Sequence, residues 1–126
     1  MLNYHIRTIP HKTQDYNTPG DYWVDSQNHT KIVVSEELGD DSAFLVALHE
    51  FVEDYLCKKR GIKNDDVVAF DKANINNYEP GMMPSAPYHK EHVFADLIER
   101  QVCRELGIEW TDHDNKNIEV MDTYDN

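Results

Sequence analysis

The sequence predicts an α+β fold in which a small N-terminal antiparallel sheet packs on two main helices. Three observations carry this. β-branched and aromatic residues alternate roughly through the first third of the chain. The stretch from about Ser42 to Arg60 repeats apolar residues at helical spacing, between clear start and stop signals. A second stretch, from about Lys90 to Leu106, does the same. At 126 residues the chain is expected to form one domain, residues 1–110, with an acidic C-terminal tail over 111–126.

In order, Asn3 to Ile9 reads as a strand, and Thr18-Pro19-Gly20 as a turn. Asp21 to Asp25 and His29 to Val34 flank Ser26-Gln27-Asn28, which fits a hairpin. Asp40, Asp41 and Ser42 are N-cap candidates, with charges suited to the positive end of a helix dipole. Phe44, Leu45, Leu48, Val52, Tyr55 and Leu56 form the expected apolar stripe. Lys58-Lys59-Arg60 and then Gly61 close the helix. Asn64 to Phe70 predicts a short helix. The Asn-, Pro-, Gly- and Met-rich run from Lys72 to His89 reads as a loop, a length usually tied to function. Met82-Met83 within it suits core filling or a partner surface. Val93, Leu97, Ile98, Val102 and Leu106 face the second helix inward, and Gly107 ends it. In the tail, Asn117 to Met121 reads as a short edge strand, with the last few residues frayed.

A net charge of -12 opposes direct binding to nucleic acid or anionic membrane. It leaves open metal cations and basic protein partners. Cys57 and Cys103 fall on buried-looking helix faces, and no secretory signal or membrane-spanning stretch is evident, so a cytoplasmic, disulfide-free protein is expected. The apolar stripes suit packing within one chain or between two.

The chemistry concentrates in His49-Glu50-Phe51-Val52-Glu53. A helix puts residues four apart on one face, so His49 and Glu53 point the same way with Glu50 beside them. This is the layout of the zincin helix, His-Glu-x-x-His, with the second His replaced by Glu. A zinc site needs three protein ligands and an open position. Here zinc would take His49, Glu53 and His92, and Glu50 would be the general base. His89 competes with His92 as third ligand, and His89 or Tyr88 could stabilise an oxyanion. Asp96, one turn after His92, could orient a ligand, although an ordinary surface acid is its plainer reading. His5, His11, His29 and His113 lack partner spacing and read as surface residues. Without a second imidazole, a carboxylate-rich site would prefer Mg2+ or Mn2+.

The run Leu48 to Glu53, continuing through Leu56-Cys57-Lys58-Lys59-Arg60-Gly61-Ile62, resembles a family of small phage and prophage proteins of unassigned function. Ala86 to Ala95, Ile98-Glu99-Arg100 and Leu106 to Trp110 share the resemblance, which covers roughly half the chain. More distantly, the His-Glu pair and the order of elements resemble minimal zincin-like metallopeptidases. That resemblance implies a zincin-like fold, a metal site at His49, Glu53 and His92, and, for a phage protein, the host cytoplasm. The strand Lys31 to Val34 would then form a lip of the cleft and pair with an extended peptide or protein substrate. Two other readings compete. A magnesium-dependent nucleotide pyrophosphohydrolase would use Glu50, Glu53, Asp96 and Glu99, but that fold is a helix bundle. A non-enzymatic acidic interaction protein would need none of these residues.

Overall fold

The computed structural model describes residues 2–124. It is α+β: a three-stranded sheet followed by four helices. Strands β1 (Tyr4–Ile9), β2 (Gly20–Val24) and β3 (Thr30–Ser35) lie in the order β1-β3-β2. The helices are α1 (Gly39–Lys59), α2 (Asn64–Ala73), α3 (His89–Glu105) and α4 (Trp110–Met121). No helix among the described residues is long and apolar enough to cross a membrane.

The sheet is mixed rather than purely antiparallel. β2 and β3 form the expected antiparallel hairpin, whose turn uses Asn28 at φ 63°, a conformation Asn tolerates. β1 joins the other side of β3 and runs parallel to it. Ile32, Val33 and Val34 are consequently almost fully enclosed. A central strand covered on both faces carries a continuous apolar run, as Ile32-Val33-Val34 does. β3, whose Lys31 to Val34 was expected to form the cleft lip that pairs with a substrate, is therefore paired on both sides and has no free edge; β1 and β2 are the edge strands.

Both main helices stop where expected. Ile62 N–H donates to Cys57 O (2.9 Å) around Gly61 at φ 71°, and Ile108 N–H donates to Cys103 O (3.2 Å) around Gly107 at φ 73°. These are Schellman closures that place glycine where a Cβ would strain the chain. The start of α1 differs from expectation: its N-cap is Leu38, and Asp40 and Asp41 sit in the first turn without a capping bond.

The largest helix contact is α1 on α3, and its buried face is not the expected one. Phe44 and Tyr55 are exposed, as is Leu97 on α3. Among the enclosed positions are Leu45, His49, Glu53 and Cys57 on α1, and His92, Ala95, Asp96, Glu99 and Cys103 on α3. These follow the three-to-four residue period as well as the apolar stripes do. Two helices therefore meet across a polar seam, with apolar side chains displaced to the flanks.

The segment after 110 is not a tail. Trp110–Met121 is a helix, with His113, Val120 and Met121 buried against the body. The expected edge strand Asn117 to Met121 is its last turns. The Ile-x-Val alternation suggested a strand, but His113, Asn117, Val120 and Met121 share one helical face. The expected fraying falls partly on residues 125–126, outside the described residues.

Candidate metal centre

Three side chains converge in the seam. His49 Nε2 lies 3.0 Å from Glu53 Oε2 and 3.1 Å from His92 Nδ1, and His92 Nδ1 lies 2.8 Å from the same Glu53 oxygen. All three residues are buried. The i, i+4 step of α1 supplies two of the atoms; α3 brings the third across the interface. Tetrahedral donors at about 2.0–2.1 Å from zinc stand about 3.3 Å apart. The triangle thus needs to open by only a few tenths of an ångström to hold a zinc-sized ion.

The outer atoms fit the same purpose. A carboxylate only accepts, so His49 donates its Nδ1 proton to Glu99 Oε1 (2.8 Å) and turns Nε2 inward. His92 likewise donates Nε2–H to Glu79 Oε1 (3.1 Å) and turns Nδ1 inward. Tyr22 donates its hydroxyl to Glu53 Oε1 (2.8 Å), leaving Oε2 for the triangle. Metal-ligating histidines and carboxylates are held in this way by groups on their far side. Gly81 completes the clamp: a Cβ there would fall 2.4 Å from the His92 ring.

Electrostatics follow from the enclosure. Burial works to raise the Glu53 carboxyl, but hydrogen bonds from His49 and His92 outweigh it and hold the group at about 2. Burial works to lower His92, but its bonds to Glu53 and Glu79 lift it to about 9. His49 is raised as well, by Glu53 and Glu99 against its burial. Glu50 is pushed well above the usual carboxylate range by burial and by neighbouring Glu53. Its carboxylate lies against Gly20, where a Cβ would meet Oε1 at 2.9 Å.

The other expected residues have separate positions. His89 donates Nδ1–H to Gly81 O (3.0 Å), which pins the Pro80–Met82 turn. Tyr88 gives its hydroxyl to Asp71. Asp96 is buried, not a surface acid, and accepts from Arg100 Nε (3.0 Å). His11 and His113, read as surface residues, are each 1% exposed. His11 bonds Ser35 Oγ (2.6 Å), away from the triangle. His113 bonds Glu99 Oε2 (2.5 Å) and Ser42 Oγ (2.9 Å), so Glu99 joins His49 to α4. Glu99 is seven residues after His92 on the same face of α3, a spacing that could have pointed to it.

The triangle opens on a cavity of about 680 Å³, bordered by β2, Glu50, the Pro80–Met82 turn and α4. Met82 and Met83 line this cavity. Among the described residues no all-carboxylate trio converges; the other close group, His49 with Asp96 and Glu99, shares the His49 already in the triangle. No family model, curated protein or solved structure matches this chain.

Proposed function

We propose that this chain binds zinc through His49, Glu53 and His92 and is a zincin-like metal-dependent hydrolase acting on peptides. The observation that carries the reading is the convergence of three donor atoms within 3.1 Å, with both imidazoles held from behind by carboxylates. Two nitrogens and one carboxylate oxygen make a zinc set; magnesium would call for oxygens throughout.

Bound zinc supplies Lewis acidity at a carbonyl and brings the pKa of water toward neutrality. The protein does the rest. Glu99 and Glu79 fix the rings, and Tyr22 fixes the Glu53 carboxylate. Glu50, a carboxylate at the cavity wall beside His49 on α1, would take the proton from the attacking water and return it to the leaving amine.

The test is a zinc titration at several pH values. In the metal-free protein the inward nitrogens share protons with Glu53, and zinc must displace them. Both histidines are raised, His92 to about 9. Zinc affinity should therefore rise about 10- to 100-fold per pH unit between roughly pH 6 and 8, with about one to two protons released per zinc. Zinc uptake without proton release, or no uptake, contradicts this site.

A further inference from the structure

The outward face of α1 reverses the usual order of a surface helix, which turns charge to solvent and apolar groups inward. Between Ser42 and Cys57 the only exposed residues are Phe44 and Tyr55, at 53% and 41%, with Leu48, Phe51 and Val52 half-buried beside them. The charged groups of the same stretch go to the other side: His49, Glu53 and Asp54 are buried, and Glu50 lines the cavity. A trench between α1 and β1, lined by Ile6, Phe44, Leu48 and Phe51, extends the apolar surface, and Ile6 is itself 53% exposed. A contiguous apolar face rimmed by charge marks an interaction surface.

The rim indicates what covers it. Asp41, Phe44, Leu48, Val52, Tyr55 and Lys59 fall within an arc of about 80° on the helix, over a length of about 27 Å. In order they are acid, aromatic, aliphatic, aliphatic, aromatic and base. That series is its own complement when reversed. An antiparallel copy of α1 sets Asp41 against the partner's Lys59, Phe44 against the partner's Tyr55, and Leu48 against the partner's Val52. A two-fold axis makes every such contact twice. The end charges are available for it. Lys58 and Arg60 pair with Asp54 and Glu91 of their own chain, whereas among the described residues Asp41 and Lys59 have no ionic partner. The rest of the molecule disfavours a second copy, since the chain carries a net charge of -12. On the α1 face, apolar contact and opposite charges coincide.

We propose that two copies of this chain associate through the outward faces of α1, packed antiparallel about a two-fold axis near Leu48 and Val52. The metal triangle lies on the opposite side of the same helix, so the contact leaves the cavity open.

The test is sedimentation equilibrium of the whole chain in chelator, from about 1 to 100 µM, which reads association apart from metal. A mass of twice 14.7 kDa is expected at the upper end. Phe44→Glu, at an exposed position, should keep the wild-type circular dichroism and weaken the dimer at least about tenfold. Asp41→Lys and Lys59→Asp should each weaken it about tenfold by setting like charges together twice. The double variant restores both pairs with signs exchanged, and its Kd should return to within about threefold of wild type. That recovery separates contact between copies from the favourable placement of these charges on the dipole of a lone helix. A monomer at every concentration overturns the proposal. So does a dimer indifferent to Phe44→Glu or to the single reversals, or one that the double variant fails to restore.

Discussion

Glu50→Gln is expected to cut peptide hydrolysis by about 10²- to 10⁴-fold, or about 2.7–5.4 kcal/mol of transition-state stabilisation, with zinc content unchanged. Glutamine preserves the side-chain volume against Gly20, where even an added Cβ has no room. It removes only the capacity to accept a proton. Glu50 is outside the donor triangle, so zinc stoichiometry should match wild type. The measurement is kcat/KM on a quenched-fluorescent peptide library beside metal content by mass spectrometry. An active Glu50→Gln protein removes Glu50 from the mechanism. Loss of zinc together with activity would instead place Glu50 among the ligands.

The second large effect is expected at Glu99. This carboxylate accepts from His49 on one oxygen and His113 on the other, inside the seam of α1, α3 and α4. Burial works to raise it, but the two imidazole bonds outweigh burial and hold it below the usual carboxylate range. Glu99→Gln puts an amide N–H₂ against one imidazole N–H and leaves a buried donor unpaired. The cost should be about 3 kcal/mol, or a fall in Tm of about 10 °C for a chain of this size. Zinc affinity should fall about 10- to 100-fold as His49 loses its support. The sign of the pH dependence follows from the lowered pKa. The stability Glu99 contributes is present above the unfolded value, about 4.3, and is lost as pH falls through the folded value. The gap between wild type and Glu99→Gln should therefore be full at pH 6–7 and narrow below about pH 4. Thermal melts at both pH values measure it; equal Tm at neutral pH contradicts the role given to Glu99.

Local chemistry was legible where neighbours in sequence decide it. The hairpin, the helix ends at Gly61 and Gly107, and the shared face of His49 and Glu53 all depend on residues within one or two turns. What could not be read was set by partners distant in sequence. β1 pairs parallel to β3, a matter of sheet order that β1's own alternation does not encode. The apolar stripe of α1 misled because the face that meets α3 carries His49 and Glu53, while Phe44 and Tyr55 go to solvent. Sites commonly break the hydrophobic pattern of their elements in this way. His113 illustrates the same limit. Nothing near it in sequence marks it as buried, yet it lies 2.5 Å from Glu99 and ties the last helix to the site.

On the proposed function, His49, Glu53 and His92 form one zinc site. The direct measurement is metal content of the untagged protein, in wild type, His49→Ala and His92→Ala, with folding checked by circular dichroism. About one zinc per chain is expected in wild type, and none in either folded variant. Wild-type stability should also rise by about 2.7 kcal/mol when free zinc is 100 times Kd. Wild-type protein with no bound metal and no stabilisation by added zinc would contradict this site.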